Sequence, residues 1–88
     1  MSKQQTTPGY VFIAIGQNVW GRADTMLEAM QNAANQSTCA NEFVLNYCHP
    51  NTKVDPVWGG LVHPMANPPV RIGRFRRVAK RFYAIELD

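Results

Sequence analysis

The chain is short of cysteine, short of acidic side chains, and without any long apolar run. Each shortage narrows what it can be. Only Cys39 and Cys48 occur among the 88 residues. Residues 1–8 contain no apolar h-region, so no signal peptide is expected. Together these make a soluble, cytoplasmic protein with reduced thiols the expectation. The longest apolar run, Tyr10 to Ile15, is far below the ~20 residues that a membrane span requires. There is no internal repeat and no low-complexity tract. Hydrophobic residues make up 45% of the chain, which is ample for a core and argues against disorder. A domain of this length buries only about 60–65% of its unfolded surface. A buried multi-residue active site would compete with the core for space, so size favours a binding module over an enzyme.

Acidic residues are few and scattered, and the positive charge is concentrated at one end. Residues 1–70 carry Lys3, Arg22 and Lys53 against Asp24, Glu28, Glu42 and Asp55, which leaves −1. Residues 71–88 carry Arg71, Arg74, Arg76, Arg77, Lys80 and Arg81 against Glu86 and Asp88, which leaves +4. Such asymmetry points to an acidic partner. The basic run is interleaved with Ile72, Phe75, Val78 and Ala79 and leads into the apolar ending Phe82–Leu87. Its charges should therefore be displayed on a folded surface and not on a free tail.

The local patterns predict an α+β domain spanning 1–88, with a small sheet of three or four strands and one helix packed across it. Residues 1–8 read as a flexible arm. Tyr10–Ile15 is rich in β-branched and aromatic residues and predicts a central strand, and Gln17–Gly21 carries turn residues. Thr25-Met-Leu-Glu28 fits a capping box, in which the Thr hydroxyl accepts from the third backbone N–H and the Glu reaches back. Helical spacing of Met26, Leu27, Met30, Ala33 and Ala34 then predicts a helix between 24 and 36. Glu42–Cys48 predicts a second strand with Phe43, Leu45 and Tyr47 on one face. Residues 49–69 form a long Pro-rich loop, a type that is usually functional or disordered; Trp58, Leu61, Val62 and Met65 argue against disorder. Residues 71–81 fit either strand or helix, and 79–87 are read as strand. The predicted core is Val11, Ile13, Ile15, Leu27, Met30, Ala33, Phe43, Leu45, Tyr83 and Ile85.

Few residues point to chemistry. Cys39, Cys48, His49 and His63 lack the paired spacing of zinc sites, so no metal and no cofactor is expected. A small enzyme using Cys48 and His63 as a nucleophile pair is conceivable, although nothing marks either thiol as activated. Gly59-Gly60 lacks the Lys-Ser/Thr of a phosphate-binding loop. The leading reading is a non-enzymatic binding module. Arg71, Arg74, Arg76, Arg77, Lys80 and Arg81 would supply the charged contact, and Trp58 and Phe75 the apolar anchors. The partner is an acidic protein surface or, alternatively, a nucleic acid whose phosphates meet the same cluster. The same charges also suit a strand edge protected against unwanted pairing, or one that pairs with its twin in a homodimer. Trp20 fits either an interface anchor or a core cap.

Two stretches carry a resemblance. Ala23-Asp-Thr25-Met-Leu-Glu28-Ala29 resembles the strand–turn–helix start of many small phage and mobile-element proteins. Cys48-His49-Pro50-Asn51-Thr52, with Val54-Asp55-Pro56-Val57-Trp58-Gly59-Gly60, looks like small proteins of the same kind. The resemblance implies an accessory protein that works by binding host machinery, and it transfers no active site.

Overall fold

The computed structural model describes residues 9–36, 41–55, 60–79 and 82–88. The expected arm at 1–8, Cys39, Trp58, Lys80 and Arg81 lie outside the described residues. The fold is α+β, with seven strands and one helix among those residues. β1 (Val11–Gly16) turns back into β2 (Val19–Ala23), and α1 (Met26–Ala34) then leads to β3 (Glu42–Cys48). Two short strands follow, β4 (Lys53–Val54) and β5 (Leu61–Val62), and the chain closes with β6 (Val70–Ala79) and β7 (Phe82–Leu87). Five strands form one sheet in the order β2-β1-β3-β6-β7, and β4 pairs with β5 in a second, two-stranded sheet. Every neighbouring pair is antiparallel. The sheet is thus larger than the three or four strands expected.

Two strands account for the difference. β2 occupies what reads as turn chemistry, because only Gln17 and Asn18 are needed for the turn. Gly16 already pairs with Val19, and Asn18 takes the left-handed conformation at φ 63°, where Asn is tolerated. Alternation in β2 is disguised by Gly21, which faces the helix in place of an apolar side chain. The second surprise is the basic run. It is strand throughout its described length, and it lies inside the sheet between β3 and β7. The arginines of its described length therefore do not guard an edge; β2 and β7 are the edges.

α1 starts where the cap predicts. Thr25 is the N-cap, and its Oγ1 accepts from the Glu28 N–H at 3.2 Å. The reciprocal half differs from the expected box: Thr25 Oγ1 itself donates to Glu28 Oε1 at 3.0 Å. The helix lies across β2 and β1 and only brushes β3. Ala29, Met30, Ala33 and Ala34 are buried beneath it. Leu27 points the other way and is 56% exposed, which corrects its expected place in the core. Ile85 is also corrected: it sits on the helix side of β7, beyond the helix's reach, and is 50% exposed.

The core has two parts, one on each sheet face. On the helix face, Ala14, Val19, Phe43, Leu45 and Phe75 join the buried helix residues, with Phe12, Met26 and Tyr83 packed around them. On the opposite face, Val11, Ile13 and Cys48 are buried under Val54 and Leu61, with Ile15 beside them. The described parts of the loop, 49–55 and 60–69, thus act as a cover, and the small β4–β5 sheet supplies the apolar contact. Arg22 ties it down from β2, donating to the carbonyls of Thr52 at 2.7 Å and Pro50 at 2.6 Å. Asn67 adds a bond to the Tyr10 hydroxyl at 3.3 Å.

Candidate functional site

Strand geometry sorts the basic run by face. Arg74 pairs with Val44, Arg76 with Glu42 and, across a bulge, Arg71 with Asn46. Directly opposed residues share a face of the sheet, so these three arginines lie on the face away from the helix. Arg77 has the other parity and turns to the helix side, where it donates to the Ala34 carbonyl at 2.8 Å. α1 has no basic residue in its own last turn. Arg77 supplies the cation that the negative end of the helix dipole favours. It is a structural residue first.

The remaining arginines do not form a bare positive patch. Arg74 Nε donates to Glu86 Oε1 at 2.9 Å. That hydrogen bond, reinforced by the Glu86 charge, raises the Arg74 pKa above its ordinary value. Arg71 Nε lies 3.1 Å from Asp88 Oδ2. Arg76 has no ion pair among the described residues, with Glu42 opposite it in the register. Both bridges are exposed, so they contribute little stability, but among the described residues the face is balanced: Arg71, Arg74 and Arg76 stand among Glu42, Glu86 and Asp88. Among the described residues three arginines face three carboxylates here, because β3 brings Glu42 to this surface and Arg77 leaves it; Lys80 and Arg81, which complete the linear count of +4 over residues 71–88, lie outside the described residues.

A second feature of the same face is not evident in the chain order. Trp20 pairs with Ile15, Ile15 with Val44, Val44 with Arg74, and Arg74 with Glu86. One residue from each of the five strands thus forms a row across the sheet that runs from aromatic through aliphatic to charged. Trp20 is 40% exposed and Val44 36%, and Ile15 is half-buried. Beside the charged end, Glu42, Arg74, Arg76, Ala84 and Glu86 line a shallow concavity, where the small Ala84 leaves room. Ile15 and Val44 were missed as site residues. Their outward orientation depends on which face the helix covers, and that is not written in either strand alone.

Phe75 is not an anchor. It is 1% exposed, stacked on Phe43 with ring centroids 4.5 Å apart and planes 5° apart, and met edge-on by Tyr83 at 5.6 Å. Its parity places it on the helix side, opposite to Arg74 and Arg76. Offering its ring to a partner would require opening the core.

The geometry does not support Cys48 as a nucleophile. It is fully buried, and burial pushes its thiol up to about 11, with Arg22 pulling weakly the other way. At neutral pH it is a protonated thiol without access to solvent. His63 Nδ1 lies 2.9 Å from the Pro64 carbonyl. His49 Nδ1 accepts from the Asn51 N–H at 3.0 Å. Among the described residues no group of three or more His, Cys, Asp or Glu side chains could hold a metal ion, and no helix is long and apolar enough to cross a membrane. Comparison with protein-family models, with curated proteins and with solved structures finds no match.

Proposed function

We propose that this protein is a non-enzymatic binding module that docks on another protein through the sheet face away from its helix. The observation that carries this reading is the row Trp20–Ile15–Val44–Arg74, in which Trp20 and Val44 are exposed and Ile15 is half-buried, flanked by Arg76. Binding energy concentrates in Trp and Arg beside desolvated apolar neighbours, and this row offers those groups on a rigid strand framework. The partner is a protein with an apolar groove rimmed by carboxylates, into which Trp20 and Val44 fit while the arginines of the same face meet the rim.

The charge balance among the described residues of the face favours protein over nucleic acid. A phosphate backbone is uniformly anionic, and Glu42, Glu86 and Asp88 would meet it with like charge at the same positions as the arginines. A protein surface can alternate its charges to match.

Affinity capture from a cell lysate, with and without nuclease, tests the reading when wild type is run beside a Trp20→Ala/Val44→Glu variant. Wild type should retain a protein that survives nuclease treatment and that the folded variant loses. Anisotropy with duplex and single-stranded oligonucleotides at ~50 mM salt should show no binding. Equal retention by wild type and variant, or retention abolished by nuclease, overturns it.

A further inference from the structure

The two edges of the sheet are finished differently. At β2, helix side chains close the outward backbone: Asn32 Nδ2 donates to the Arg22 carbonyl at 3.2 Å, and Gln36 Nε2 donates to the Trp20 carbonyl. The acceptors of that edge are occupied, so strand addition there is blocked.

At β7 nothing comparable is present among the described residues. Asp88 N–H bonds to the Ile72 carbonyl at 2.8 Å, and the β6–β7 register pairs Arg74 with Glu86 and Arg76 with Ala84. Antiparallel ladders alternate between bonded and non-bonded pairs. The even-numbered residues of β7 therefore bond to β6, and Tyr83, Ile85 and Leu87 turn their N–H and C=O groups outward. The same residues carry apolar side chains on the helix side, with Ile85 50% and Leu87 62% exposed. This edge has no proline, no lysine and no cover within the described residues, which are the usual guards against pairing.

We propose that β7 pairs antiparallel with β7 of a second copy of this chain, about a two-fold axis at Ile85. In that register Ile85 faces its own twin, and Tyr83 faces Leu87 of the partner. All three outward N–H/C=O pairs then meet partners of the same parity. The charges on the opposite face agree. Ala84 would stand opposite the second copy's Glu86, and Arg76 stands next to Ala84 on β6. The small Ala84 side chain lets the Arg76 guanidinium, which has no ion pair among the described residues, reach over it toward that carboxylate. A neighbouring register that opposes Glu86 to Glu86 is disfavoured by like charge. The two-fold axis runs perpendicular to the sheet, so both copies present the Trp20–Ile15–Val44 row on the same side. The dimer would bind a repeated target with the gain that linked sites confer.

Light scattering on a size-exclusion column, over roughly 5–500 µM protein, tests this; a small edge contact places the transition in that range. Wild type should rise from the 9.9 kDa chain mass to twice that value. Ile85→Lys puts a charge on a side chain that is already half exposed, so the monomer stays folded, and its dimer dissociation constant should rise at least tenfold. Ile85→Pro removes the outward donor without touching the β6–β7 ladder and should have the same effect. Circular dichroism confirms that each variant is folded. A wild type that keeps the monomer mass at the highest concentration overturns the proposal. So does a folded Ile85→Lys protein that dimerises as well as wild type, because its interface then lies elsewhere.

Discussion

The Arg77 guanidinium donates to the Ala34 carbonyl at 2.8 Å, joining β6 to the last turn of a helix 43 residues earlier in the chain. This bond separates Arg77 from the other arginines of the basic run in both position and role. Arg77→Ala leaves the Ala34 carbonyl without its charged donor, so it should cost about 1–2 kcal/mol. For a domain of this size, that lowers the melting temperature by roughly 4–8 °C per kcal/mol. Arg76→Ala, at an exposed site without an ion pair among the described residues, should leave the melting temperature unchanged. Thermal denaturation of the two variants side by side checks the division of labour.

Phe75 joins β6 and β7 to the core through Phe43 and Tyr83. Phe75→Ala should cost ~3–5 kcal/mol from lost burial and the cavity left behind, a large share of the stability of a small domain. Phe75→Leu keeps most of the volume and should cost clearly less. Urea denaturation of both variants measures the difference. A Phe75→Ala protein as stable as wild type would place the ring outside the core.

Gly21 lies directly beneath the helix. A Cβ at this position would come within 2.3 Å of the Ala33 nitrogen and 2.4 Å of the Ala29 oxygen. Both are backbone atoms of a regular helix, and neither can rotate away. Gly21→Ala should therefore force α1 off the sheet at a cost of more than ~2 kcal/mol, and Gly21→Val should prevent folding. Circular dichroism with thermal melts reads both outcomes.

Burial of Cys48 links stability to alkaline pH. Its thiol is neutral when protonated, and its pKa in the folded protein is about 11 against the ordinary 9.0. The unfolded chain thus loses its proton first as pH rises. Stability from this residue is complete below pH 9 and declines toward pH 11. In a Cys39→Ala background, the melting temperature should fall over that window more steeply than in a Cys39→Ala/Cys48→Ala protein. In the same background, a thiol reagent at pH 8 should modify Cys48 only at the rate of unfolding. Rapid modification of the folded protein would show that the site is open.

The strands and the helix that stood out in the sequence did so for local reasons. Thr25 and Glu28 cap a helix through atoms three residues apart, and β-branched and aromatic clustering marked β1 and β3. β2 was hidden because its contact residue is Gly21, which contributes close approach in place of hydrophobicity. Phe75 was misassigned because an apolar residue among arginines reads alike whether it turns in or out. Its ring neighbours on the adjacent strands, Phe43 and Tyr83, decided the matter. Leu27 and Ile85 were misplaced for the same reason: apolar periodicity does not state how far a helix extends across a sheet.

The sequence by itself determined the α+β class, the position of the helix, and a C-terminal segment rich in arginine and alternating with apolar residues. These rest on interactions between residues close in the chain. Only the tertiary structure decided what those arginines face. Pairing β6 between β3 and β7 brought Glu42, Glu86 and Asp88 among Arg71, Arg74 and Arg76, turned Arg77 toward the helix, and aligned Trp20, Ile15 and Val44 beside them. Charge adds along a chain, but it acts across a surface, and strand register sets which residues share that surface.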